Sequence, residues 1–226
     1  MFKALVFDFD GTILDTETAW YTAFREVYAK YGVELTLEQY AECIGTDWRV
    51  FHPYEYLVNK LQSAINLEEL RQSVAARHAE LMNHVEIRAG VVPLLCEAKK
   101  RGLKLGVASS SNRAWVEKHL KQAGLLQEFE CIRTSEDVAR VKPSPELYEK
   151  TVACLQVSAH EAMAIEDSPN GAQAAIAAGL RCVVAPNEVT RSLTFPPALI
   201  RLRSLSDLPA SALLDDSLLA GRSDLL

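Results

Sequence analysis

Two aspartates one residue apart close the first apolar run of the chain: MFKALVF leads into Asp8 and Asp10 of DFDGT. If the run is a strand that continues through them, side chains at that spacing leave on one face, and the two carboxylates repel each other. Three other places put reactive side chains at or just beyond an apolar run: Ser109 in VASSSN, Lys142 in VKPSPELY, and Glu166 with Asp167 in AIEDSPNG. Four ionised carboxylates against one ammonium form a set that a partly buried site does not tolerate uncompensated, which implies a hard divalent cation. Every candidate ligand among Asp8, Asp10, Glu166 and Asp167 is an oxygen, with no His or Cys beside these motifs, so Mg²⁺ is expected rather than zinc. Asp8 then reads as ligand and nucleophile and Asp10 as an acid/base holding a proton, their closeness setting their pKa values apart.

A cation, the Lys142 ammonium, the Ser109 hydroxyl and the backbone N–H groups of the Asp10-Gly11-Thr12 turn make a socket for a doubly charged phosphoryl group. The expected chemistry is attack of Asp8 on phosphorus, with Asp10 protonating the leaving oxygen and later activating water. Each residue alone has a plainer reading. Asp-Gly is a common turn pair, a serine beyond a strand can sit in a polar loop, and most lysines are solvated. Ser168-Pro169 reads as a helix cap and first turn, and Ser111 or Asn112 as the cap of the helix after the second run.

To bring these residues together, the chain must place the ends of several strands side by side. The runs 3–7, 103–109, 130–134, 162–166 and 181–185 are rich in aliphatic residues, many β-branched, and are separated by helix-like stretches over 93–101, 112–123 and from Ser168 to Gly179. Buried parallel strands alternating with helices read this way, and ligands on such sheets bind beyond the carboxyl ends of the strands. Thr16 to Ile87 breaks the rhythm: it contains no strand-like run, carries helical spacing in Trp20, Phe24, Val27, Tyr28 and Tyr31, and holds most of the chain's aromatics. The expected organisation is an α/β core of residues 1–15 and 88–226 with an inserted helical cap, 16–87.

The 226 residues are 49% hydrophobic with a net charge of −6. That is enough to bury a sizeable core, and the negative balance opposes nucleic-acid binding. Five scattered cysteines without a C-x-x-C pair suggest neither a disulfide framework nor a zinc site. No apolar stretch approaches the ~18 residues of a membrane span, and the first run is interrupted too early for a signal peptide. A cytoplasmic monomer acting on a small phosphorylated metabolite is expected.

DFDGTILD (8–15), VASSSN (107–112), VKPSPELY (141–148) and AIEDSPNG (164–171) resemble, in order, the four motifs of the haloacid dehalogenase superfamily, in its phosphatase and β-phosphoglucomutase-like branch. The resemblance covers the whole chain and implies a Rossmann-like three-layer core with a helical cap. It implies Asp8 as nucleophile, Asp10 as acid/base, Ser109 and Lys142 on phosphate, and Asp8, the Asp10 carbonyl, Glu166 and Asp167 around Mg²⁺. In relatives the segment matching 43–57 faces the active site, so Arg49 and His52 are candidates to touch the rest of the substrate. The mutase relatives carry a histidine twelve residues after the nucleophile and a cap arginine three after a glycine; here those positions hold Trp20 and Trp48, with Arg49 one step late. Hydrolysis is therefore expected over mutase chemistry. A phosphoacceptor regulatory module is the non-enzymatic alternative, disfavoured by the length of the cap; haloacid dehalogenation is disfavoured by Asp10.

Overall fold

The computed structural model describes residues 2–44, 51–61, 65–196 and 200–215. Among these residues six strands form one parallel sheet: β1 Ala4–Phe7, β2 Lys104–Ala108, β3 Cys131–Arg133, β4 Ala162–Glu166, β5 Arg181–Val184 and β6 Ile200–Arg201, in the order β3-β2-β1-β4-β5-β6. The five apolar runs of the sequence are the first five of these strands. The two-residue edge strand β6 has too little sequence to show a pattern.

Strand alternation divides the core into two layers. Leu5 and Phe7 of β1 pack with α5 (Val91–Lys100) and α6 (Arg113–Gln122) on one face, through Leu94, Leu95, Val116 and Leu120. Ala4 and Val6 face α7 (Glu146–Cys154) and α8 (Pro169–Ala177) on the other, through Leu147, Tyr148, Ala172 and Ala175. The helix ends follow their sequence signals. Asn112 caps α6, its Oδ1 accepting from Trp115 N at 2.9 Å, and Ser168 caps α8, with Pro169 in the first turn.

Between β1 and α5 the described residues form four helices: α1 Thr16–Lys30, α2 Leu37–Ala41, α3 Pro53–Leu61 and α4 Leu67–Met82. They bury a cluster of their own, including Tyr21, Phe24, Tyr28, Tyr40, Tyr54, Leu57 and Leu70, and Val189 joins it from the loop beyond β5. Thr36 closes a capping box with Gln39 at the start of α2. The chain enters and leaves this helical unit side by side, through bridges pairing Asp10 with Leu14 and Leu14 with Ile87. Among the described residues, no helix is long and apolar enough to cross a membrane.

One expectation fails. Cys131 on β3 and Cys154 at the end of α7 are disulfide-bonded, 23 residues apart with Cα atoms separated by 6.3 Å. The pairing arises because α7 packs across β2 and β3; nothing in the cysteine spacing announces it.

Leu94 is fully buried between α5 and the sheet. Leu94→Ala should lower unfolding free energy by about 2–5 kcal/mol. A urea midpoint unchanged at constant slope would contradict this placement of α5.

Candidate active site

Parallel register sets the strand ends together. Phe7 lies level with Val107 on one side and Ile165 on the other, and Asp8 N donates to Ile165 O at 2.9 Å. Asp8 therefore stands beside Glu166, with Ser109 just beyond the end of β2. This is the carboxyl edge of the sheet, where α/β folds bind ligands.

Lys142 is the hub. Its side chain is 6% exposed, and its Nζ donates to Asp8 Oδ1 at 2.5 Å and to Glu166 Oε1 at 2.7 Å. Although burial disfavours the ammonium, the Asp8 and Glu166 carboxylates outweigh it and push the Lys142 pKa up. Lys142 precedes a proline, as the sequence shows, and the Lys142–Pro143 peptide is cis.

The expected charge crowding is present, with causes different from those expected. Burial, then the Glu166 carboxylate, push Asp8 up to about 7 against the pull of Lys142; Asp10 contributes least. Asp167 is raised well above the usual carboxylate range by burial, then by Asp8, Glu166 and Glu17, with Arg88 opposing. The carboxylates of Asp8, Glu166 and Asp167 are all buried and offer oxygens within 4.8 Å of one another. This all-oxygen set fits a hard divalent cation, whose charge the buried carboxylates lack.

Asp8 and Asp10 do not share a strand face, because β1 ends at Phe7. Asp8 turns to Lys142. Asp10 turns instead to neutral donors: Thr16 Oγ1 at 3.0 Å and Trp115 Nε1 at 2.8 Å on Oδ1, and Ser111 Oγ at 2.6 Å and Ser109 Oγ at 3.4 Å on Oδ2. The intervening turn closes on itself. Gly11 N donates to Leu14 O and Thr12 N to Phe9 O, and Thr12 Oγ1 donates to Asp167 Oδ1 at 3.1 Å. The Gly11 and Thr12 amides are thus engaged within the turn rather than facing an anion, and Thr12 holds a carboxylate. Gly11 has φ +79°, and a Cβ there would meet Asp167 Oδ2 at 2.3 Å, so both the turn and the close approach require glycine.

His52 lies at the start of α3, where its Nδ1 accepts from Glu55 N at 3.3 Å and its ring tilts against Tyr54. That is a capping position on the helical unit. Arg49 lies outside the described residues.

With this geometry in place, comparison with known proteins is decisive: the profile of the haloacid dehalogenase-like hydrolases matches residues 5–185. The chain belongs to that family. YhcW of Bacillus subtilis (strain 168), named as a candidate phosphatase, is 46% identical over 95% of this chain and 97% of its own. Hexitol phosphatase B of Escherichia coli (strain K12) is 30% identical over 93% of this chain and 96% of its own. The crystal structure of CbbY from Rhodobacter sphaeroides in complex with phosphate superposes with a TM-score of 0.69 at 32% identity, over 92% and 96% of the two chains. As a haloacid dehalogenase-like hydrolase with such relatives, the chain is an enzyme, a phosphoric monoester hydrolase.

In this member of the family, several residues that hold the carboxylates escape sequence reasoning. Tyr148 Oη donates to Glu166 Oε1 at 2.6 Å, while Glu166 Oε2 accepts from Asp167 N and from Ser168. Glu166 is thus gripped through both oxygens. Asn187 Nδ2 donates to Asp167 Oδ2 at 2.8 Å, and its Oδ1 caps the turn at Val189 and Thr190. Arg88 ties Gly11 O to Ala185 O and Pro186 O. Glu17, in the first turn of α1, is pushed up to about 8 by burial and then by Asp10, Asp8 and Asp15. Asn187 was findable, since it stands just beyond β5 at the carboxyl edge of the sheet; Tyr148 and Trp115 sit in helical patterns that give no sign of a polar contact. A cavity of about 440 Å³ lined by Trp20, Ser110, Ser111, Asn112, Trp115 and Ser135 opens beside Asp10.

The raised carboxylates have a consequence for stability. Asp8 holds its proton to about 7 in the fold but only to about 3.8 when unfolded, so the native state binds more protons in that window and stability falls as pH rises through it. In EDTA the thermal midpoint should decline between about pH 4 and about pH 7, and Asp8→Asn should lessen that decline, part of it remaining because Glu17 and Asp167 are also raised. An equal decline in Asp8→Asn would show that Asp8 is not the source.

Proposed function

We propose that the chain is a Mg²⁺-dependent phosphatase of small sugar or polyol phosphates that works through an aspartyl-phosphate on Asp8. The observation that carries this reading is the placement of Asp8: a buried carboxylate at a strand end, with Lys142 on one oxygen and Glu166 and Asp167 beside it. Asp8, Asp167, the Asp10 carbonyl and Glu166, directly or through water, are the residues to hold Mg²⁺, which when bound keeps Asp8 ionised and offsets phosphate charge.

Asp8 attacks phosphorus, and the bond from phosphorus to the ester oxygen breaks. Asp10, as general acid, gives a proton to the departing alkoxide, which leaves as an alcohol. Asp10 then takes a proton from water as the water oxygen attacks phosphorus. The bond from phosphorus to Asp8 breaks, releasing inorganic phosphate and restoring both aspartates. Lys142 pairs with the transferring group's charge, and the Ser109 hydroxyl turns from Asp10 to donate to it. Residues 16–87 act as the cap that excludes water during transfer.

The substrate class rests on the cavity beside Asp10. Two indoles and several hydroxyl and amide groups suit a small polyhydroxylated skeleton, with its C–H faces on the rings and its hydroxyls on the serines, and about 440 Å³ suits a few carbons. The relatives point the same way: one is named hexitol phosphatase B, and a variant of CbbY has been crystallised with xylulose 1,5-bisphosphate. Trp20 is packed flat on His78 with centroids 3.6 Å apart, and an indole there relays no proton to a sugar hydroxyl, which supports water as acceptor.

Phosphate release from a panel of sugar and polyol phosphates tests this. Activity should vanish in EDTA and return with Mg²⁺. Asp8→Asn should abolish turnover, and Asp10→Asn should reduce it by about 10²–10⁴. Activity above a tenth of wild type in Asp8→Asn would exclude the covalent route. Sustained conversion of β-glucose 1-phosphate to glucose 6-phosphate, faster than phosphate release, would replace hydrolysis with mutase chemistry.

A further inference from the structure

We infer that Trp115 is the positioning residue for Asp10: its indole N–H, held in a ring stack that joins the helical unit to the core, aims the carboxylate that protonates the leaving group. The inference rests on the acid/base reading of Asp10 and extends it to a residue outside the four motifs.

Asp10 accepts from three hydroxyls and one indole. The hydroxyls of Thr16, Ser109 and Ser111 rotate and can re-pair with water or substrate. The indole cannot: Trp Nε1–H only donates, along a direction set by the ring. The ring itself is fixed from two sides. His119, one turn further along α6, meets it edge-on at 4.1 Å and 63°. His78 of α4 lies across it at 5.6 Å and 23°, and Trp20 of α1 backs His78 at 3.6 Å and 9°. Two helices of the inserted unit thus reach Asp10 through one core side chain.

The composition of the stack points to a role beyond packing. His78 and His119 are 3% and 5% exposed, and their Nε2 atoms have no hydrogen-bond partner among the described residues. Burial, then His119, push His78 down to about 4, so it is a neutral ring at neutral pH. Leaving a buried nitrogen unpaired is unfavourable, and a leucine or phenylalanine would fill the space without that cost. Flat, stiff rings do what an aliphatic cluster does not: they fix the plane of Trp115, and with it the direction of its N–H. The stack forms only when α1 and α4 lie against α6, so Asp10 is aimed when the helical unit is seated.

The test uses the leaving group. Hydrolysis of glucitol 6-phosphate expels an alkoxide that must be protonated, whereas p-nitrophenyl phosphate expels a stable anion that need not be. In the full-length enzyme with Mg²⁺, Trp115→Phe should lower kcat/KM for glucitol 6-phosphate about tenfold, the upper value of one hydrogen bond between neutral groups, and for p-nitrophenyl phosphate less than threefold. The same split should follow from β-(3-benzothienyl)alanine at position 115, which replaces N–H by sulfur in a ring of nearly the same shape and so guards against a folding defect. His78→Ala should give a smaller split, and combined with Trp115→Phe should add nothing further. Equal losses on both substrates, or full activity of the benzothienyl variant on glucitol 6-phosphate, would overturn the inference. Asp10→Asn separates it from the reading beneath: if that variant keeps its rate on glucitol 6-phosphate, the acid/base reading fails and takes this inference with it. If Asp10→Asn is slow while Trp115→Phe is not, only the role of Trp115 is lost.

Discussion

A single ammonium set between buried carboxylates is the constraint on which the site is organised. Asp8 and Glu166 lose water at the carboxyl edge of the sheet, and Lys142 touches both. Burying charges costs more than one ion pair returns unless the remaining lone pairs are also satisfied. The surrounding residues meet that requirement. Tyr148 and Ser168 complete Glu166, Thr12 and Asn187 complete Asp167, and Arg88 anchors the turn that carries Gly11. Asp8 and Asp167 are nevertheless held above the usual carboxylate range, by burial first and by their carboxylate neighbours after it. Ionising carboxylates so placed is unfavourable, and a cation beside them would relieve that cost.

The same constraint explains the small residues nearby. A Cβ on Gly171 would meet the Glu166 carboxylate at 1.9 Å, and one on Gly11 the Asp167 carboxylate at 2.3 Å. Helix α8 can press its first turn onto Glu166 only because glycine stands there, and its alanines let it sit close against β4 and β5. Close packing of backbone against carboxylate excludes water, which strengthens each charge interaction within the site.

Two aspartates adjacent in sequence end in different electrostatic surroundings. Asp8 faces formal charges, while Asp10 faces hydroxyls and an indole. The turn separates them: its amides close on the chain itself, so that one side chain points along the sheet edge and the other toward α6. The inserted helices lie on the Asp10 side, through Thr16 at the start of α1 and the stacked rings of Trp20 and His78. Seating of that unit is thereby coupled to Asp10 rather than to Asp8.

The sequence alone determined the parallel strands, their alternation with helices, the helical character of the stretch between the first strand and the second, and which residue types stand at the strand ends. Each of these is local: apolar runs of strand length, Asn and Ser–Pro caps, and reactive types placed where runs end. Haloacid dehalogenase-like membership followed from four ordered motifs. What the sequence did not show depends on which elements pack together. The Cys131–Cys154 disulfide requires α7 to lie across β3. The grip of Tyr148 on Glu166 and of Trp115 on Asp10 comes from residues that read as core positions of helices, because a helical pattern reveals which face is buried and not which polar atom lies opposite. The expectation that mutual repulsion divides Asp8 from Asp10 failed for the same reason. Side-chain direction beyond a strand end is set by the turn, and the dominant influences on Asp8, burial and Glu166, come from desolvation and from a strand more than 150 residues away in the chain. Spacing along the sequence carries neither quantity; both appear only when the sheet is assembled.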